Sequence, residues 1–177
     1  MSAAPTAPPH TAPRNPTTRP RLRAVVLVGL AVVGFAICAL VLAAYFSASL
    51  GVQVTLLAVL FATLPLFVVI PTFIWLDRFE AEPTRLLVLA FLWGALVSAF
   101  GAAVLNTGAI IAFQSATDPD SALAATAIVV APLTEEALKG ALVLLVWWLH
   151  RHEFDGITDG MVYAGIVAAG FAFTENI

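Results

Sequence analysis

The sequence predicts an all-α fold, a polytopic bundle of transmembrane helices, and three observations support this prediction. Hydrophobic residues make up 61% of the 177 residues and charged residues only 11%, with a mean hydropathy of +0.99. A soluble domain usually has about 45–50% apolar and about 25% charged residues, so a soluble enzyme is excluded. The apolar residues also form long runs, close to the roughly 20 residues that a spanning helix needs.

Five apolar runs follow a polar N-terminal segment. Residues 1–23 are rich in proline and contain four arginines, a composition that predicts a disordered tail. Residues 24–177 form the predicted transmembrane domain. Its spans are predicted at residues 24–46, 52–76, 86–113, 122–149 and, incompletely, 161–177. The first run is longer than the apolar part of a signal peptide, which has about 7–15 residues, so we expect it to remain as an anchor.

The last run is short for a spanning helix. It has only 17 residues, from Met161 to Ile177. We therefore expect the sequence to be a fragment, with more helices in the full-length protein.

The basic residues predict the orientation of the chain. Every Lys and Arg except Lys139 lies in the tail or in the second and fourth connections between spans. Because Lys and Arg collect on the cytoplasmic side, the N-terminus is predicted to be cytoplasmic, in a multi-pass protein of the plasma membrane. The net charge of −3 offers no basic surface for nucleic acid.

Four ionisable residues interrupt the apolar runs: Glu135, Glu136, Lys139 and Glu175. Each costs about 2.5–3.5 kcal/mol at the centre of a spanning helix, and such residues usually mark a pathway or a reaction site. Lys139 can pair with either glutamate on its own helix. A purely structural ion pair would leave the second glutamate and Glu175 without a role.

The acidic residues are predicted to meet at one depth in the membrane. Glu136 lies 13 residues before Leu149, and Glu175 lies 15 residues after Gly160. At 1.5 Å per residue, both are about 20 Å from the same membrane surface. A short loop joins the two helices, so they run antiparallel and their carboxylates can come together.

Three nearby features predict local structure. Pro132 removes a backbone donor and crowds the carbonyl of Ile128, which predicts a disturbed helix just before the acidic pair. Asp159 is interpreted as an N-cap of the last helix. The helix face that carries Glu175 also carries small residues, which permit close approach of another helix: Ala164, Ala168 and Ala172.

Several motifs in a fixed order resemble the PrsW family of intramembrane proteases. They are PLTEEALKG from Pro132, EFDGITDGMVYA from Glu153 and GFAFTENI from Gly170. The loop DRFEAEP at residues 77–83 and the following FLWGA are similar to the family's segment ahead of the acidic helix. The resemblance covers about residues 75–177.

The resemblance implies a peptidase, distantly related to the CAAX prenyl endopeptidases, that cuts membrane-anchored proteins such as anti-sigma factors. Glu135 or Glu136 would activate a water molecule, Lys139 would tune their charge, and Glu175 with Asn176 would orient the water or the developing oxyanion. The catalytic residues that it implies are Glu135, Glu136, Lys139, Glu175 and Asn176.

The resemblance also implies a divalent metal such as zinc. Glu136 and Glu175 are the candidate ligands in this sequence. Histidine is a common zinc ligand, and none lies within a predicted span. Histidine ligands are therefore expected beyond Ile177.

Two other functions remain open at this stage. Buried glutamate and lysine also build proton relays, so a proton- or ion-coupled transporter is one alternative, which predicts acid-coupled flux without proteolysis. A catalytically silent membrane scaffold of the same family is the other. A reading frame that continues into a helix containing histidine would favour the protease.

Overall fold

The computed structural model describes residues 19–79, 81–151, 154 and 156–177. All the regular elements among them are helical, which confirms the predicted all-α fold. Residues 1–18 of the tail predicted over residues 1–23 lie outside the described residues, whereas residues 19–23 are helical rather than disordered. The first helix begins at Arg19, five residues before the predicted start of the first span at Ala24.

Eight α-helices and two π-helical segments account for most of the described chain. They are α1 (Arg19–Leu50), α2 (Val52–Thr63), α3 (Leu66–Leu76), α4 (Thr84–Leu92), the first π segment (Trp93–Ser98), α5 (Ala99–Gln114), α6 (Pro119–Ala125), the second π segment (Thr126–Val130), α7 (Ala131–Leu149) and α8 (Ile157–Glu175). A short 3₁₀ turn at Asp77–Phe79 follows α3.

Four helical runs among the described residues are long and apolar enough to cross a membrane: Val25–Leu50, Val52–Leu76, Thr84–Gln114 and Ile157–Glu175. The protein is therefore a multi-pass membrane protein. The run of residues 119–149 contains the remaining predicted span. It carries Glu135, Glu136 and Lys139, and it is not one of these four.

The chain divides into two units, residues 1–33 and 34–177. In the first unit, the described residues belong to the start of α1. In the second unit, α8 is the central helix, since half of its apolar span is buried. It packs against α3, α4, α7 and the first π segment, around a core that contains Tyr163 and Val167.

Two glycines allow α8 to approach the first π segment backbone to backbone. A Cβ atom at Gly94 would overlap the carbonyl oxygen of Val167, and one at Gly170 would overlap that of Phe91. Small residues at such crossings permit close packing of membrane helices. On the face predicted to permit such an approach, Phe171 is buried, whereas Ala164, Ala168 and Ala172 are exposed within the described structure.

The backbone departs from the α-helix at the two π segments. The second one ends directly before Ala131 and includes Ile128, so the disturbance predicted from Pro132 is present as a π-helical segment. The first was not predicted. Such segments interrupt the regular hydrogen-bond ladder of a helix and often occur at functional sites.

Side chains also fix the helix ends. Asp118 accepts a hydrogen bond from the backbone N–H of Ser121 at 3.0 Å and caps α6. Asp159 accepts one from the backbone N–H of Gly156 at 3.0 Å. Asp159 stabilises the start of α8, as predicted, but from the third position of the helix rather than from the N-cap.

Candidate active site

Polar residues from three helices meet at one cavity of about 790 Å³ within the second unit. Glu135 comes from α7, Thr174 and Glu175 come from the end of α8, and Asn106 comes from α5. The rest of the wall is mostly apolar or small, and α1 supplies four of these residues: Val41, Leu42, Tyr45 and Phe46. The cavity is therefore acidic on one side and apolar on the other.

The two cavity carboxylates have free acceptor sites. Neither Glu135 nor Glu175 accepts a hydrogen bond from a residue that the structure describes. Glu135 is half-buried and Glu175 is exposed where it meets the cavity. The depth prediction was argued for Glu136 and Glu175, whereas the carboxylates that line this cavity are those of Glu135 and Glu175.

The first π segment fixes the position of Glu175. The backbone N–H of Ala99 donates to the carbonyls of Gly94 and Leu96, and the carbonyl of Ala95 accepts the hydroxyl of Thr174 at 2.6 Å. Thr174 directly precedes Glu175 in the sequence. This buried hydrogen bond holds the end of α8 against the first π segment.

The helix that carries Glu135 is tied to the same segment. The indole Nε1 of Trp93 donates to the carbonyl of Leu138 at 2.9 Å. Leu138 also packs close to Gly101, where an added Cβ atom would lie 3.1 Å from its Cδ1. One π-helical segment therefore positions both acidic helices.

Glu136 and Lys139 form a pair outside the cavity wall. The Lys139 Nζ donates to the Glu136 Oε1 at 2.7 Å, and the Glu136 side chain is 74% exposed. Lys139 is 18% exposed and lies 4.1 Å from the centroid of the Phe171 ring. The sequence left two partners open for Lys139, and the structure pairs it with Glu136.

Asn176 also lies outside the cavity wall. It follows α8 directly, and its backbone N–H donates to the carbonyl of Ala172 at 3.0 Å. The structure thus brings together two of the predicted catalytic residues, Glu135 and Glu175. The catalytic roles of Glu136, Lys139 and Asn176 stay predictions.

Sequence reasoning missed Asn106. Its Oδ1 accepts the hydroxyl of Thr134 at 2.7 Å, next to Glu135 in the sequence. The available signal was an amide side chain in the middle of an apolar run, a position where polar residues commonly bond to another helix. The sequence also gave no indication that α1 forms the apolar wall.

Comparison with known proteins identifies the family. Residues 82–177 match the family described as PrsW family intramembrane metalloprotease. The chain belongs to the PrsW family. It is also similar to a protein named Protease PrsW from Geobacillus kaustophilus (strain HTA426), with 36% identity over 104 residues, or 57% of this chain.

The chain spans 42% of the length of that curated relative. The matched region includes all three polar helices of the cavity and leaves out α1. No solved structure matches the chain.

The family description implies a metal ion. Catalytic zinc sites usually have three protein ligands, whereas the cavity holds two carboxylates, Glu135 and Glu175. Within residues 19–79, 81–151, 154 and 156–177, no group of three or more His, Cys, Asp or Glu side chains is placed to hold a metal. The described residues alone therefore do not fit a complete metal site. Of the two predicted ligands, Glu175 lines the cavity and Glu136 is paired with Lys139.

Proposed function

We propose that the protein hydrolyses peptide bonds of membrane-anchored proteins at this cavity. The observation that carries the proposal is that Glu135 and Glu175, from antiparallel helices, line one cavity with an apolar wall. Carboxylates with free acceptor sites suit general acid–base work on a water molecule. The apolar wall suits the side chains of a membrane-embedded substrate.

The cavity volume supports a short substrate segment. An α-helix with its side chains is about 10–12 Å wide and rises about 5.4 Å per turn, so one turn fills roughly 400–600 Å³. A cavity of about 790 Å³ holds at most about two turns. In this proposal, the part of the substrate inside the cavity is therefore no longer than that.

In the proposed reaction, Glu135 is the general base. It takes a proton from water as the water oxygen bonds to the scissile carbonyl carbon, and the carbonyl electron pair moves onto oxygen. The C–N bond then breaks and the proton passes to the leaving amine. Glu175 accepts a hydrogen bond from the attacking water and orients it.

Lys139 and Glu136 have a supporting part in this proposal. Their ion pair places a positive charge one turn from Glu135, against the ring of Phe171. Glu175 interacts electrostatically with both Glu135 and Lys139. We assign Lys139 the role of balancing the negative charge of the two cavity carboxylates.

The family resemblance supports a finer proposal about the substrate and the membrane. Its substrates would be membrane-anchored regulators such as anti-sigma factors, cut in a regulated-proteolysis cascade. The distribution of arginines supports a plasma-membrane protein with a cytoplasmic N-terminus. Because the predicted depth of the carboxylates is about 20 Å from the cytoplasmic surface of a core about 30 Å thick, the cut would fall in the outer half of the membrane anchor.

Comparing membranes that contain the unaltered full-length protein with membranes that contain Glu135→Gln tests the proposal. Mass spectrometry of protein termini in the two samples is the measurement. We expect new termini beside membrane anchors only with the unaltered protein. Asp120→Asn, an exposed carboxylate at the start of α6, is the control and should behave as the unaltered protein. Identical termini with and without Glu135 would overturn the proposal.

A further inference from the structure

Asn106 is a polar residue at the cavity that neither the motifs nor the family resemblance single out. It lies in α5, whose other cavity residues are apolar or small apart from Thr107. In the described part of the chain its side chain makes one hydrogen bond, to Thr134. A carboxamide can make about four hydrogen bonds, so about three of the possible hydrogen bonds of Asn106 are not made to described residues.

The hydrogen-bond network shows which end of the amide remains available. The Thr134 Oγ1 lies 2.7 Å from the Asn106 Oδ1 and 3.0 Å from the carbonyl oxygen of Ala131. An amide oxygen can only accept, so Oδ1 faces the Thr134 hydroxyl. The two Nδ2 hydrogens of Asn106 have no partner among the described residues.

We infer that Asn106 donates a hydrogen bond from Nδ2 to the carbonyl oxygen of the scissile peptide bond. This inference rests on the proposed function. As water adds to the carbonyl carbon, negative charge develops on that oxygen, and a fixed N–H donor stabilises it. Thr134 is a positioning residue, since its hydroxyl holds Oδ1 and so fixes where the Nδ2 hydrogens lie.

The arrangement places the proposed donor and the proposed base on two helices that are joined by the Asn106–Thr134 hydrogen bond. Glu135 follows Thr134 on α7, so the base and the anchor of the donor are adjacent residues. Asn106 itself is on α5. A carbonyl group bound between α5 and α7 would thus meet the donor and the base together.

The test measures kcat and KM for a substrate found in the comparison of termini, using the full-length protein. Asn106→Leu keeps a similar side-chain volume and removes both donors. We expect kcat to fall about 100- to 1000-fold, the usual loss for one oxyanion donor, with little change in KM. The control is Gln114→Leu, which removes a carboxamide from the end of the same helix, outside the cavity wall. An unchanged kcat for Asn106→Leu, or a change in KM alone, would overturn the inference.

A second pair of variants separates positioning from folding. Thr134→Val removes the hydroxyl that holds Asn106, and Thr134→Ser keeps it. We expect kcat to fall in Thr134→Val and to recover in Thr134→Ser, at equal thermal unfolding temperatures. This pair decides the matter if Asn106→Leu does not fold, and an equal kcat in both variants would contradict the inference.

The result for Glu135→Gln distinguishes this inference from the proposed function. If Glu135→Gln abolishes cleavage and Asn106→Leu does not, only the inference about Asn106 fails. If cleavage persists without the Glu135 carboxylate, both the proposed function and the inference about Asn106 are wrong.

Discussion

Acidic side chains lie near both ends of α8, and the two ends differ in how these side chains are hydrogen-bonded. Near the start of the helix, the Tyr163 hydroxyl donates to the Glu82 Oε2 at 2.7 Å, and the Glu82 backbone N–H donates to the Asp77 Oδ2 at 3.0 Å. Tyr163, Glu82 and Asp77 are all buried. At the other end, Glu175 lines a cavity and accepts no hydrogen bond from a described residue.

This difference indicates two roles for a carboxylate in an apolar protein. One carboxylate stabilises the fold, and the other remains available for a reaction. A buried polar group is costly unless it is hydrogen-bonded, and then it stabilises one arrangement of its neighbours. Glu82 meets this condition. Glu175 retains acceptor sites that a water molecule or substrate can use, at the cost of stabilising little by itself. The two ends can therefore be tested by separating activity from stability.

Removal of the Glu175 charge should give the largest effect. Glu175→Gln keeps the size of the side chain and weakens its ability to orient water, so kcat should fall about 100- to 10,000-fold, the range of general acid–base contributions. The thermal unfolding temperature in detergent should stay unchanged, because the carboxylate accepts no hydrogen bond from a described residue that the change would remove. A lower unfolding temperature with normal kcat would show that Glu175 stabilises the fold and takes no part in the reaction.

Gly170 tests whether the close packing of α8 against Phe91 is needed for both stability and activity. Gly170→Ala forces a Cβ atom against the carbonyl of Phe91, and overpacking of this kind costs typically about 1–3 kcal/mol. We expect the variant to unfold at a lower temperature and to lose activity as well, because α8 must shift along with Thr174. Denaturant unfolding and kcat measure the two effects.

The matched control for Gly170 is Gly140→Ala on α7. An added Cβ there has no atom within 4 Å, and alanine is favoured over glycine in a helix by about 0.8–1.0 kcal/mol. Gly140→Ala should therefore be as stable as the unaltered protein or more so. Similar losses in both variants would refute the importance of the close crossing.

Tyr163→Phe should affect stability alone. It removes the hydroxyl that donates to the buried Glu82, and a hydrogen bond to a charged group contributes about 1.5–3 kcal/mol to the free energy of unfolding. Denaturant unfolding should show this loss, whereas kcat of the folded protein should remain normal. A normal stability with reduced kcat would show that the structural end of α8 takes part in the chemistry.

Composition and spacing were sufficient to predict the helix bundle and the meeting of two acidic helices. Glu135 and Glu175 were predicted because charges are conspicuous in apolar runs and because helical rise fixes their depth. Spacing alone did not indicate that Glu135, rather than Glu136, lines the cavity together with Glu175. The second π segment lies just before α7, and it changes the direction in which each later side chain points.

The remaining parts of the site depend on packing that no local pattern specifies. Asn106 is a single amide whose partner lies 28 positions away, at Thr134. The close crossing at Gly94 and Gly170 depends on two glycines from different helices. The sequence instead favoured the alanine face of α8, since small residues alone do not indicate which face is buried.

Asp118 is an exposed carboxylate, and we expect its effect, a small change in stability, to be the smallest of those predicted for the carboxylates. Hydrogen bonds from Ser121 hold the pKa of Asp118 below its ordinary value of 3.8. A lowered pKa in the folded state means that the cap stabilises fully above the ordinary pKa and loses its contribution as the pH falls through the folded value. We therefore expect the unfolding temperature to decline slightly at acid pH below about 4.

Asp118→Asn distinguishes the charge of this cap from its hydrogen bond. Asparagine is an equally good N-cap, so the variant should keep its stability at neutral pH and lose the part of the acid dependence that comes from Asp118. Asp120→Asn, two residues on, should keep that dependence, since Asp120 accepts no hydrogen bond from a described residue. Thermal unfolding of the three proteins between pH 3 and pH 7 is the measurement. Identical pH profiles for all three proteins would show that the charge of the Asp118 carboxylate does not contribute to stability. Glu175 is expected to differ from Asp118, because its charge should be essential to activity and unimportant to folding.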